Sequence, residues 1–464
     1  MGASFIHGHS KRHPVSRLAA EAGLKTHVVD WDDDGIFDSS GSEFSSDETD
    51  QFEFDWGKTM ANASKLRKGV RRERKAAGHG SRIDMSLGEA VQQTMDTLGF
   101  DKAYQNRLLS MAHHEIELDY GTTLDNMSLL FWDNDEEIKG PDAMIVGGYH
   151  QIINHIIAKG NLADCIRART NVTRVVAIDR AGEPLEDGDE MSNSVAGDSS
   201  SSSSSSYSDD YSSSSSSSSS SQAGSIPGDG LTHSRVLVRA ESDSEPEEFE
   251  CDAVICTLPL GVLKARATSY FQPSLSPAKL GSIEAMGVGL LAKVVFIFDK
   301  CFWPTKVHAF SVVGTNADDR QTFPSFIPIN KANGGKPALL SFLSGEMAYR
   351  AELMSSKDLI SMAMPVLRTV FGRKKACKPT QTFVTRWSTD PASLGGYSYT
   401  AVGASPDDIV ELGRPEWNGR VHFAGEHTHV KYPSTVHGAI LSGEHAANAV
   451  AKQLLVRLED ESNT

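Results

Sequence analysis

One short segment near the C-terminus and a single lysine hold most of the chemistry visible in these 464 residues. The segment is "RVHFAGEHTHVKYPSTVHGAILSGEHAANAV", from Arg420 onward. It reads as a strand, a Gly-Glu pair, a loop ended by Pro433, and a helix of small residues. Gly425 lets the backbone come close to another group. Glu426 then sits at the carboxyl end of a strand, where α/β sheets place ligands. Ser434 or Thr435 caps the helix, and Gly438, Ala439, Gly443, Ala446 and Ala447 keep it slim enough for close packing. The N–H groups of Thr435 and Val436 carry the positive end of the helix dipole, which favours an anionic or electron-rich atom. An ordinary capped strand–loop–helix has the same pattern, so this segment alone leaves ligand and plain core equally open.

Lys293 is the lone cation in the apolar run "LLAKVVFIF". A lysine in a buried strand is costly unless it is paired or functional; on an edge strand it would snorkel to solvent. Asp133, Asp135 and Glu136 in "FWDNDEE" form an acidic cluster suited to a basic ligand, and equally suited to a solvated loop. His427 and His437 read as packing around the loop, not as metal ligands. The run "GVGLLA" at Gly287–Ala292 mimics a dinucleotide fingerprint, but it precedes a strand instead of following one and is discounted.

The elements that must position these groups alternate between strands and helices, so the class is α/β or α+β. "NVTRVVAI" and "RVLVRA" predict two strands flanking a serine-rich tract, residues 181–232, that reads as an enlarged disordered hairpin loop. "DAVICTLPLGVLK" predicts a buried strand entering a Pro-initiated helix. "LLAKVVFIFD" and "ALLSFLSG" predict further strands, and "KDLISMAMPVLRTVFG" a helix interrupted by Pro365. "SLGE" at Ser86–Glu89 predicts a capping box, and a second helix follows around Tyr104 to Leu118. Ile152, Ile153, Ile156 and Ile157 predict one apolar helix face after the Gly147-Gly148 turn. Residues 30–55 are acidic and serine-rich and residues 65–75 are basic; together they predict a solvated, mobile insertion.

Composition bounds the reading. Apolar content of 39% and a net charge of -16 describe an acidic globular chain. That charge argues against direct nucleic-acid binding and favours basic or amine partners. The five cysteines form no CxxC pair and read as reduced thiols, not as a disulfide framework or metal site. No stretch is long and apolar enough for a membrane span, and no secretory signal is visible.

"FAGEHTHVKYPSTVHGAILSG" resembles the C-terminal flavin signature of the FAD-dependent amine oxidases, and is most similar to the lysine-specific histone demethylase and polyamine oxidase branch. "GASFIHG", "WDNDEE", "GGYHQ", "DAVICTLPLGVLK", "MGVGLLAKVVFIFDKCFW" and "TRWSTDPASLGGYSYTAVGAS" agree with that family in the same order. The resemblance implies a two-lobe fold: an incomplete FAD-binding lobe interleaved with a substrate lobe. Residues 1–28, 141–289 and 406–458 would belong to the FAD lobe, residues 81–140 and 290–405 to the substrate lobe, and residues 29–80 to the charged insertion.

The resemblance also assigns roles. Glu426 would bind the ribityl or ribose region of FAD, with Gly425 beside it. Thr435 and Val436 would face the flavin pyrimidine edge, Val172 the adenine, and Thr257, Leu258 and Pro259 the cofactor channel. Ser4 and Phe5 match a flavin-contacting pair. Lys293 matches the catalytic lysine that acts on flavin N5 through a water. Trp387 would wall the cofactor and Tyr397 the amine substrate, while Asp133, Asp135 and Glu136 would form an acidic substrate rim. The activity implied is oxidative demethylation of methyl-lysine in histone-like tails, with imine hydrolysis and hydrogen peroxide release. Polyamine oxidation and a non-catalytic interaction protein are the alternatives. A nuclear location and a chromatin complex would follow from the first, a cytoplasmic location from the second. With no cysteine beside Gly396–Tyr397, FAD would be held noncovalently. Two departures qualify this. The family's GxGxxG unit and its long helical arm are not in the sequence, which reads as a chain starting after the phosphate cradle. Ala392 stands where the demethylase branch often has an aromatic residue.

Overall fold

The computed structural model describes residues 2–29, 31, 34–179, 181–186, 235–243, 245–304, 307–316 and 320–462. The serine-rich tract of residues 181–232 lies almost wholly outside them. Its flanks behave as expected: Thr170–Ile178 and Arg235–Ser242 pair antiparallel, with an irregularity between Val172 and Arg174. Pro246–Cys251 and Phe271–Gln272 complete a four-stranded sheet. A parallel pair, Val254–Cys256 with Val421–Phe423, lies against the same core, which is filled by Leu260, Tyr270, Phe271, Trp417 and Phe423.

A second sheet has six strands, in the order 381–384, 292–297, 338–343, 325–328, 309–313 and 34–38. Ala338–Leu343 is buried at every position and Ala292–Ile297 at all but its last, because both faces of the sheet are covered. One face packs on helices Gly345–Leu353 and Ser356–Phe371; the other, carrying Val295, Ile327 and Phe342, meets Phe5 and Leu118. A third, small sheet joins Phe5–Ile6, Asp142–Ile145 and Thr26–Val29. Among the described residues no helix is long and apolar enough to cross a membrane.

The solvated insertion expected within residues 29–80 is not what forms. Asp34–Asp38 is the parallel edge strand of the six-stranded sheet. Ser46–Ala76 is one helix of 31 residues. A capping box starts it: Ser45 Oγ accepts from Glu48 N–H, and Glu48 accepts from Ser45 N–H. Phe52, Trp56, Ala63 and Val70 recur at helical spacing and bury against Leu87, Val91, Met95 and Leu108. Most of the charges sit on the other face; Asp55 is buried and accepts from the Tyr104 hydroxyl. Composition was the weaker signal here, because one apolar stripe is enough to dock a helix whatever its exposed face carries.

Three smaller expectations also shift. At Ser86 only half of the capping box forms: Ser86 Oγ accepts from Glu89 N–H, while the Glu89 carboxylate accepts from Gln93. Pro365 does not interrupt its helix, which runs from Ser356 to Phe371. Of the four isoleucines in His150–Lys159, Ile152 and Ile156 pack inward, but Ile153 is exposed.

Candidate active site

Strand alternation sets the direction of Lys293. Ala292, Val294 and Phe296 face the two covering helices, so Lys293 points to the opposite face with Val295. Lys293 is 7% exposed. Its Nζ donates to the carbonyl of Gly2 and to Ser4 Oγ at 2.8 Å, and lies 5.4 Å from the centre of the Phe342 ring. Burial pulls its pKa down to about 8, so this ammonium gives up its proton far more readily than a surface lysine. Phe5 packs 6.1 Å from Phe342, and its carbonyl accepts from the Tyr149 hydroxyl at 2.6 Å. Ser4, Phe5 and Lys293, distant in sequence, therefore meet.

The Trp387 loop is tied to the same strand. Lys293 N–H donates to Thr385 Oγ1 at 2.9 Å, and Thr385 N–H to the Lys293 carbonyl at 3.1 Å. Two residues on, the buried Glu352 carboxylate accepts from Trp387 N–H and Ser388 N–H, both at 2.8 Å, and from Ser388 Oγ at 2.7 Å. A surface groove of about 380 Å³ runs along Thr385, Arg386, Trp387 and Asp390.

Tyr397 donates its hydroxyl to the carbonyls of Asp119, at 2.8 Å, and Leu118, at 3.3 Å. Leu118 packs in the cluster that holds Phe5 and Phe342, so Tyr397 is brought to the Lys293 side of the sheet. Those carbonyls are presented by a widened turn, His113–Glu117, in which His113 Nδ1 and Glu117 Oε2 lie 2.6 Å apart and Glu117 Oε1 accepts from Leu124 N–H. Asp119 itself is reached by solvent, yet protein crowds its carboxyl. That burial pushes its pKa up to about 6, with His7 opposing and Asp142, Glu137 and Asp135 adding to the rise.

Glu426 is the knot of the C-terminal segment. It accepts from Ser398 N–H at 3.0 Å, Ser398 Oγ at 2.6 Å and Ser434 N–H at 2.7 Å. Burial raises its pKa, and these donors hold the rise back. Gly425 has φ +151°, and a Cβ there would stand 2.5 Å from the His427 ring, so only glycine fits. The helix Val436–Ser462 begins directly after Thr435, whose Oγ1 accepts from Gly438 N–H at 3.0 Å. Beside this helix start the rings of His13 and His437 meet edge to face at 4.6 Å. Both side chains are buried, with no partner for Nε2 among the described residues. Burial pulls His13 down to about 4 and His437 to about 3, so both are neutral.

The parallel pairing of Phe423 with Cys256 puts Thr257, Leu258 and Pro259 at the same sheet edge as Gly425 and Glu426. Val172 packs, with Leu258, on the core beneath. The acidic rim is internally partnered. Arg67 Nη2 lies 2.9 Å from both Asp133 oxygens, Tyr120 donates to Asp135 at 2.9 Å, and Lys431 stands 3.6 Å from Glu136. A pocket of about 20 Å³ beside Tyr120, Trp132, Asp135, Tyr399 and Ser434 has room for one water.

The sequence reading missed Glu352, Ser398, Asp119 and Lys279. Glu352 carried a signal: it follows Ala348 by four residues on a buried helix stripe. Lys279 is fully buried, donating to the carbonyls of Glu411, Leu412 and Arg414. It closes the end of helix Pro406–Gly413. Among the described residues no group of three or more metal-ligating side chains is present.

Residues 231–451 match the family described as flavin containing amine oxidoreductase. The chain is 30% identical to "Lysine-specific histone demethylase 1 homolog 1" of Arabidopsis thaliana, over 97% of this chain and 45% of that protein. It is 37% identical to "Possible lysine-specific histone demethylase 1" of Drosophila melanogaster, over 45% of this chain and 25% of that protein. The chain thus spans about half the length of the first of these relatives. In fold it is similar to putrescine oxidase solved with putrescine, with a TM-score of 0.62 at 15% identity, over 95% of this chain and 86% of that one.

Proposed function

The chain belongs to the flavin-containing amine oxidoreductase family, and from that premise we propose that it is an FAD-dependent oxidoreductase that demethylates methyl-lysine in histone-like tails. The observation that carries the reading is Lys293: a buried lysine, its pKa pulled down to about 8, whose Nζ reaches the Ser4 hydroxyl beside Phe5. The residues suit a noncovalently held FAD. Gly425 has no room for a Cβ, because the His427 ring packs against it, and so the backbone there stays bare. The start of helix Val436–Ser462 offers open N–H donors, and two orphaned imidazole nitrogens lie beside it. Ser4, Phe5, Thr257, Leu258, Pro259, Gly425, Glu426, Thr435 and Val436 would hold the cofactor, with Val172 toward the adenine.

Bound FAD supplies the two-electron acceptor that no side chain can provide. The overall conversion takes a methylamine, oxygen and water to the demethylated amine, formaldehyde and hydrogen peroxide. Lys293 holds and orients a water and moves protons at its Nζ. The Tyr397 ring is fixed by its hydroxyl on the Asp119 carbonyl, and the Trp387 backbone by Glu352, so both segments are set before substrate arrives. Glu426 ties strand Ser398–Tyr399 to the loop at Ser434 through Ser398 and Ser434. Nuclear localisation and a chromatin assembly accompany this reading.

Polyamine oxidation is the second reading. Arg67 and Lys431 already meet Asp133 and Glu136, which leaves little acidic surface for a long basic histone tail, while Asp135 faces only the Tyr120 hydroxyl among the described residues. Purified protein is tested for a flavin spectrum, then for peroxide and formaldehyde with a dimethyl-lysine peptide and for peroxide with spermine. Both products from the peptide support demethylation. Peroxide from spermine alone transfers the assignment to polyamines. A colourless protein that stays so with added FAD sinks both.

A further inference from the structure

The helix Ser46–Ala76 divides its charge. Between Asp47 and Asp55 it carries five acids and no base; between Lys58 and Lys75 it carries eight bases and one acid. Two of those bases fasten the helix to the body: Arg67 pairs with Asp133, and Arg74 stacks 5.2 Å over the Phe131 ring. The other six are Lys58, Lys65, Lys68, Arg71, Arg72 and Lys75, and all are exposed. At 3.6 residues per turn they fall on the side opposite the buried stripe of Phe52, Trp56, Ala63 and Val70. At 1.5 Å per residue they run for about 26 Å. Among the described residues none of the six is in an ion pair.

Helix stability does not explain this stripe. Bases complement the macrodipole only within the last turn, and the stripe spans more than four. Lys68 and Arg72, and Arg71 and Lys75, are like-charge neighbours at i,i+4, which costs the helix stability. A chain of net charge -16 has no need of this cluster for solubility. A rigidly anchored row of cations that repel one another is matched by a row of regularly spaced anions.

We propose that this face of helix Ser46–Ala76 binds the phosphate backbone of double-stranded DNA. Residues 58–75 contain no aromatic side chain to stack on unpaired bases, and Leu66 and Val70 face inward, which leaves no apolar wedge for a membrane. Contacts of this kind are to phosphate, so binding is independent of base sequence. The acidic whole-chain charge speaks against such a partner, but potential is local on the scale of a Debye length, about 8–10 Å.

The test is fluorescence anisotropy of the full chain with a short labelled duplex, a single strand of the same length, and vesicles containing phosphatidylserine. The wild-type chain binds the duplex, and four to six phosphate contacts weaken binding by roughly 10²- to 10³-fold between about 50 and about 200 mM salt. The quadruple variant Lys65→Gln/Lys68→Gln/Arg71→Gln/Arg72→Gln loses at least about tenfold in affinity, with unchanged circular dichroism and a melting temperature equal to or above that of the wild type. The proposal is overturned if the duplex is not bound at low salt, if the variant binds it equally, or if only the single strand or the vesicles bind.

Discussion

At the scale of single residues, Lys293 and Asp119 are titratable groups that burial moves in opposite directions. For Lys293 the folded pKa falls from 10.5 to about 8. The unfolded chain then binds the proton more tightly, so this residue's contribution to stability rises with pH between about 8 and 10.5. Lys293→Met should therefore stabilise the protein below about pH 8 and lose that advantage toward about pH 10.5, read as the melting-temperature difference from wild type across that range. The same substitution should lower flavin turnover about 10²-fold or more; near-normal turnover removes Lys293 from the chemistry. Asp119 behaves conversely. Its folded pKa rises from 3.8 to about 6, so the ionised form costs stability above about 6 and nothing below about 3.8. Asp119→Asn should raise the melting temperature at neutral pH, with the gain vanishing near pH 4.

At the scale of elements, what holds a site segment in place is often a buried polar side chain from elsewhere. Glu352 accepts three hydrogen bonds from Trp387 and Ser388. Glu352→Ala should cost about 3 kcal/mol or more, because buried N–H donors lose their acceptor and a cavity opens; the urea midpoint and the Trp387 emission report it. The helix Ser46–Ala76 offers a second test. Trp56 is 4% exposed and donates its indole N–H to Glu115 at 2.6 Å. Trp56→Ala should cost about 3–5 kcal/mol, whereas a solvated insertion would lose less than about 0.5 kcal/mol. This helix was misread because acidic and basic blocks dominate its composition, while the stripe of Phe52, Trp56, Ala63 and Val70 is spread over five turns. The two buried lysines teach the complementary lesson. Both interrupt apolar surroundings, but Lys279 spends its donors on three backbone carbonyls at a helix end, whereas Lys293 reaches across to Ser4 and the Gly2 carbonyl.

At the scale of the whole molecule, the grip proposed for FAD is assembled from segments far apart in the chain: residues 2–5, Thr257–Pro259, Lys293, Trp387–Tyr397 and Gly425–Val436. A ligand held by so many segments should stabilise them together. FAD at about 100-fold over its Kd should add about 2.7 kcal/mol, seen as a rise in the melting temperature; no rise at any concentration argues against the site. The strand-to-helix grammar around Glu426, the apolar run around Lys293 and the hairpin flanks Thr170–Ile178 and Arg235–Ser242 were legible from sequence, because periodicity and capping are local properties. The sequence by itself determined which residue types are available: one lysine in a buried strand, one carboxylate after a Gly, one open helix start. Tertiary structure decided their neighbours. Packing of Phe5 on the six-stranded sheet set Lys293 against Ser4, the parallel register of Phe423 and Cys256 brought Thr257 beside Gly425, and Arg67 and Lys431 met the acids of the rim. No local pattern contains those pairings, because each is chosen by burial and register between segments at least 66 residues apart.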